Sequence, residues 1–171
     1  MKKILCFAVL AVLLTGCASE PALETVADEP LQAVTAPVQQ ILLDLPESAK
    51  LEAMGAESQD KLYLCDGFTV SVQTMDAGDL DRTLRTATGY GAEDLTLMRT
   101  ATATGKCYRC VWAAAGEGQT QVGKTCIVDD GNYHYVLTVM VPEADAGKLS
   151  QQVQSVLDSF QVVDAELSTG S

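Results

Sequence analysis

Basic residues are scarce in this chain. Lys and Arg total 11 against 23 Asp and Glu over 171 residues, a formal net charge of −12. Nucleic-acid binding needs clustered cations that displace phosphate counterions, so this composition excludes it. The same deficit excludes electrostatic adhesion to anionic lipid headgroups. Histidine occurs once, at His134. A zinc site takes three or four ligands, and a lone imidazole on a strand face without cysteine does not supply them. Aromatic residues make up 5% of the chain. Past the first residues, no apolar run is long enough to cross a bilayer. Roughly a hundred residues are left for a folded part, enough for one core and one domain. That is too few for a two-lobed solute-binding protein.

The N-terminus holds what the rest lacks. Lys2 and Lys3 precede an apolar run over 4–14, and the run exits through Thr15-Gly16-Cys17. A charged start, a short apolar core and small residues at the exit make an export signal, too short for a stable transmembrane helix. Leu14-Thr15-Gly16-Cys17 resembles the lipobox of bacterial lipoproteins. The resemblance implies cleavage before Cys17 and a diacylglyceryl group with palmitate-type chains on its sulfur. It also implies a place at the cell membrane, lipid-anchored on the extracytoplasmic face. Residues 1–16 are then the signal peptide. Their loss removes Lys2 and Lys3 and leaves 9 basic against 23 acidic residues, a net charge of −14. Residues 17–39 are acidic, free of aromatics and broken by Pro21, Pro30 and Pro37, so they read as a disordered tether. A coil of that length reaches on the order of 25 Å. A single α+β domain is expected over 40–165, with 166–171 as a frayed tail.

Within the domain, short apolar runs at 41–43 and 51–54 predict minor strands. Segments 61–65 and 68–74 predict a pair flanking Asp66-Gly67. Phe68, Val70 and Val72 alternate with polar residues, which gives one buried and one wet face. Asp79 is placed to cap a short helix running to about Thr88, with Gly89 closing it. Strands follow over 95–102, 107–114, 121–128 and 133–141. The last two join at a turn centred on Asp130-Gly131, and Tyr133, Tyr135, Leu137, Val139 and Val141 share one face. Pro142 is expected to start a long C-terminal helix whose stripe is Leu149, Val153, Val156, Leu157 and Phe160. Residues 161–163 predict a final strand. The fold class is therefore α+β: an antiparallel meander with a short helix between strands and a long C-terminal helix packed on one face.

The run Asp130 to Val139, the Pro142-Glu143 that follows it, and the ending Val156-Leu157-Asp158-Ser159-Phe160-Gln161-Val162 resemble the PsbP-like fold, which Ran-binding Mog-type proteins share. The resemblance spans residues 61–164. The chain departs from the PsbP pattern in lacking a Pro-Xaa-Gly-Trp after the first strands. The resemblance implies a domain that binds, scaffolds or assists assembly, with no shared catalytic set to carry over.

Gly118 to Thr125 spells the P-loop expression. That loop works only where a strand turns into a helix N-terminus, and here Cys126-Ile127-Val128 continues as strand into acidic residues. A polar hairpin is expected instead. Cys65, Cys107, Cys110 and Cys126 remain after Cys6 leaves with the signal, and four cysteines allow three complete pairings. Cys107 and Cys110 form a Cys-x-x-Cys, but three positions along a strand point to opposite faces. A hairpin across 116–118 makes Cys110 and Cys126 neighbours and leaves Cys65 for Cys107. Disulfides are the natural outcome in an oxidising exterior, and buried thiols in an anaerobic niche. Trp112, Tyr108, Tyr133 and Tyr135 form either core or an apolar groove. His134 is expected on an exposed strand face. No residue set qualifies as catalytic, cofactor-binding or metal-ligating. The reading is a non-enzymatic, membrane-anchored binding or accessory domain of the cell envelope, with an envelope protein or a small ligand as partner. The alternative is a thiol redox or folding helper using Cys107 and Cys110.

Overall fold

Alternating apolar residues and well-placed turns build one large antiparallel sheet. The structure, a computed structural model, describes residues 36–52, 60–115 and 118–164. The signal peptide 1–16, Cys17, the tether up to residue 35 and the tail 165–171 lie outside the described residues.

The strands are β1 (Gln40–Leu42), β2 (Lys50–Glu52), β3 (Lys61–Cys65), β4 (Phe68–Asp76), β5 (Met98–Ala101), β6 (Lys106–Ala115), β7 (Thr120–Asp129), β8 (Tyr133–Pro142) and β9 (Gln161–Val163). Seven of them form a sheet in the order β2-β3-β4-β8-β7-β6-β5, antiparallel throughout. It is not the simple meander expected from sequence. β4 pairs with β8, so the chain between them makes an excursion and returns to lie beside β4. The remaining two, β1 and β9, pair antiparallel with each other and join the first and last described segments.

Helix α1 (Leu80–Thr88) ends where its caps dictate. The Asp79 carboxylate accepts from the Asp81 amide, and Gly89 closes the helix at φ +83°. Helix α2 (Ser150–Ser159) is ten residues long, shorter than expected. Pro142 ends β8 instead of opening a helix. A 3-10 turn over Glu143–Asp145 follows, closed by the Ala146 amide donating to Glu143. Gly147, a poor helix former, then delays the α-helix to Ser150.

Both faces of the sheet are covered. On one, Val153, Val156 and Leu157 of α2, with Phe160 just after it, pack on Tyr135, Leu137, Val139, Val70 and Val72. On the other, Leu84 of α1 packs on Cys110, Ile127 and Val136. Central β8 is consequently buried on both sides along most of its length.

Residues 36–39, assigned to the tether by composition, pack on the domain. Tyr133 Oη donates to the Ala36 carbonyl at 2.8 Å. Tyr135 Oη accepts the Gln39 amide at 2.9 Å and donates to Asp130 Oδ2 at 3.0 Å. Ala36 and Val38 lie against the core that α2 helps to form.

Candidate functional site

The cysteines occupy β3, β6 and β7. Lys106 to Ala115 pairs with Thr120 to Asp129 so that Arg109 faces Cys126 and Cys107 faces Val128. Cys107 and Cys126 are therefore diagonal neighbours on the α2 face, with sulfurs 3.3 Å apart. Cys110 faces Thr125 on the α1 side. This corrects the expected pairing of Cys110 with Cys126, since the two point to opposite sides of the sheet. It also corrects Cys65 with Cys107: β4, β8 and β7 lie between their strands, a separation of roughly 19 Å at ordinary strand spacing. Cys107 and Cys110 do lie on opposite faces, as strand geometry requires. All four are free thiols in the structure.

The close pair is electrostatically uneven. Hydrogen bonding from Cys126 pulls Cys107 down to about 6, against its burial and with help from the Arg109 guanidinium. The same contact, with burial, pushes Cys126 up. Burial alone raises Cys65, and it raises Cys110 against a backbone hydrogen bond at Thr125.

A cavity of about 380 Å³ lies beside β1, lined by residues that include Gln39, Ile41, Leu43, Lys61, Tyr63 and Val72. Its walls are polar and apolar in nearly equal measure. Gln39 Oε1 is buried and has no hydrogen-bond partner among the described residues. A buried acceptor left unpaired is costly, and such atoms are uncommon in folded proteins. Sequence reasoning missed this site because the lining residues come from 39–45 and from two strands beyond residue 60.

His134 is buried at 2% exposure, not on an open face. Helix α1 covers it, and Thr83 Oγ1 shares a hydrogen bond with its Nδ1 at 2.7 Å. Desolvation lowers its pKa, against the pull of Asp129 and Asp130. Trp112 and Tyr108 pack on the α1 side, whereas Tyr133 and Tyr135 pack on the α2 side, so these four line no common groove.

The P-loop letters take structural roles. Described residues from Thr120 to Thr125 are strand. A Cβ at Gly123 would enter the Trp112 indole. The indole N–H donates to Thr125 Oγ1 at 3.0 Å, and that hydroxyl meets Thr138 Oγ1 at 3.1 Å.

With this geometry in place, comparison with solved structures defines the fold. A protein of Bacteroides thetaiotaomicron VPI-5482 aligns with TM-score 0.52 and 13% identity over 74% of this chain. This chain spans 46% of that protein, about half its length. The Ran-binding protein Mog1p of Saccharomyces cerevisiae aligns with TM-score 0.50 and 13% identity, over 74% of this chain and 92% of its own. Cyanobacterial PsbP (CyanoP) of Synechocystis sp. PCC 6803 aligns with TM-score 0.51 and 11% identity, over 75% and 95%. The fold is PsbP/Mog1-like, as the sequence resemblance implied.

The N-terminus supplies the second half of the identification. Residues 1–18 match the prokaryotic membrane lipoprotein lipid attachment site, and Cys17 falls inside that match. The chain is a lipoprotein anchored to a membrane by lipid. No helix among the described residues is long and apolar enough to cross a membrane. No curated protein matches the sequence.

Proposed function

We propose that this chain is a non-catalytic binding domain, lipidated at Cys17 and held on the extracytoplasmic face of the cell membrane as an accessory of the envelope. The attachment-site match over residues 1–18 supports the anchor. Two acyl chains hold a protein to a bilayer where one gives only marginal binding. The binding role rests on the cavity beside β1, whose wall sets Ile41, Leu43 and Tyr63 beside Gln40 and Lys61. That combination fits a small ligand with both apolar and polar parts. The fold neighbours contribute no activity, because identities of 11–13% establish architecture alone.

Two measurements test the reading. An amine-reactive reagent that cannot cross membranes should label the domain in intact spheroplasts, and a protected domain would refute the outward face. Native mass spectrometry of the protein extracted from membranes should show a bound small molecule. Leu43→Trp, a partly buried lining position where a larger ring narrows the cavity, should abolish that added mass. A wild-type protein without added mass, or a ligand retained by a folded Leu43→Trp, would refute the cavity as its seat.

A further inference from the structure

We propose that Cys107 and Cys126 form an intramolecular disulfide in the anchored protein, while Cys65 and Cys110 remain thiols. The inference rests on the extracytoplasmic reading above for its oxidant and on the sheet for its pairing. The sulfurs stand 3.3 Å apart. A disulfide bond is about 2.0 Å long, so the two sulfurs must approach by roughly 1 Å to close it. The backbone that positions them is an unbroken ladder from Lys106 opposite Asp129 to Ala115 opposite Thr120. Neither other described cysteine competes, since Cys110 lies on the far face and Cys65 across three strands.

The chemistry is disulfide exchange. The co-reactant is an external disulfide, R–S–S–R, either a small-molecule disulfide or an oxidised thiol oxidoreductase. Cys107, with Arg109 beside it, attacks as thiolate. It forms a mixed disulfide and expels one R–S⁻. Cys126 then gives up its proton to solvent and attacks the Cys107 sulfur. The Cys107–Cys126 bond forms and the second R–S⁻ departs. Two protein thiols are oxidised, one external disulfide is reduced to two thiols, and the two protons released end on those thiols. Cys107 and Cys126 are 4% and 1% exposed. Exchange therefore belongs to the stage before α2 closes over the sheet, and afterwards the bond is sealed from reductants.

Trypsin separates the four cysteines. Cleavage after Lys61, Arg82, Lys106, Arg109, Lys124 and Lys148 puts Cys65, Cys107, Cys110 and Cys126 on different peptides. The full-length protein is extracted from membranes, alkylated without reductant, digested and weighed. A linked Cys107–Cys126 peptide, with Cys65 and Cys110 alkylated, is the expected result. Its reduction should lower the Tm by roughly 5–10 °C, and the Cys65→Ala/Cys110→Ala double variant should keep both the link and the shift. Any other pairing overturns the proposal. So do four alkylated cysteines in protein from spheroplasts whose domain the impermeant reagent reaches. If the reagent does not reach the domain, the outward-face reading fails by itself, and refolding with glutathione disulfide decides the pairing. A Cys107–Cys126 link there upholds the site, and its absence overturns it.

Discussion

Gly123 shows how a single position carries a requirement that a motif scan misreads. Its missing side chain is the seat of the Trp112 ring, so a Cβ there would collide with the indole. Gly123→Ala should destabilise the domain by about 1–3 kcal/mol, read as a lower denaturant midpoint with an unchanged slope. His134 makes a second residue-scale prediction. Buried and neutral, it titrates below its ordinary 6.5. Above pH 6.5 neither the folded nor the unfolded chain holds the extra proton, and stability is complete. As pH falls below 6.5 the unfolded chain takes up a proton that the folded one declines, so stability drops until the folded pKa is passed. Urea midpoints at pH 7.5 and 5.5 should therefore differ more in wild type than in His134→Asn. The amide in that variant keeps a partner for Thr83 and does not titrate. The lone histidine was visible in the sequence, but its burial was not, because helix α1 covers it from fifty residues away in the chain.

Elements divide according to whether their signals are local. The caps of α1 were legible, and Asp79→Ala should cost about 1 kcal/mol, checked by thermal unfolding. Most strands were legible from alternation within a residue or two. Register was harder, and two hairpins show why. The β7–β8 loop is Gly131-Asn132, with Gly131 at φ +93° and Asp129 facing His134. Centring the turn on Asp130-Gly131 misplaces the pairing by two positions, and every side chain keeps its face. In the β6–β7 hairpin, Ala115 faces Thr120, so the connection is 116–119 and not 116–118. That shift of one swaps the faces, which moved Cys126 from Cys110 to Cys107. The cavity was illegible for a related reason, since long-range packing of 39–45 on β3 and β4 creates it. Tyr135 ties that segment down. Tyr135→Phe removes the hydrogen bonds to Gln39 and Asp130, at about 1–2 kcal/mol. Hydrogen exchange should show the Gln39 to Leu42 amides losing protection before those of β8.

At the scale of the molecule, charge and anchor work together. The chain's net charge of −12, which the proposed cleavage before Cys17 takes to −14, gives no attraction to anionic headgroups, so acyl chains must hold the protein to the bilayer. Cys17→Ser should leave the signal uncleaved and the mature, lipid-bearing form absent on gels and by intact mass. The fold also determines how the domain would answer a mechanical load. β1 follows the chain from the anchor, and its pairing sets Gln40 beside Val163 and Leu42 beside Gln161. Force drawn between residue 36 and residue 164 pulls the two strands apart from their open end. The bonds then yield one after another instead of in parallel. Such a ladder unzips under modest tension while the seven-stranded sheet keeps its pairing. Peeling β1 away strips Gln39 and Ile41 from the wall of the cavity, so tension applied at residue 36 would open that wall.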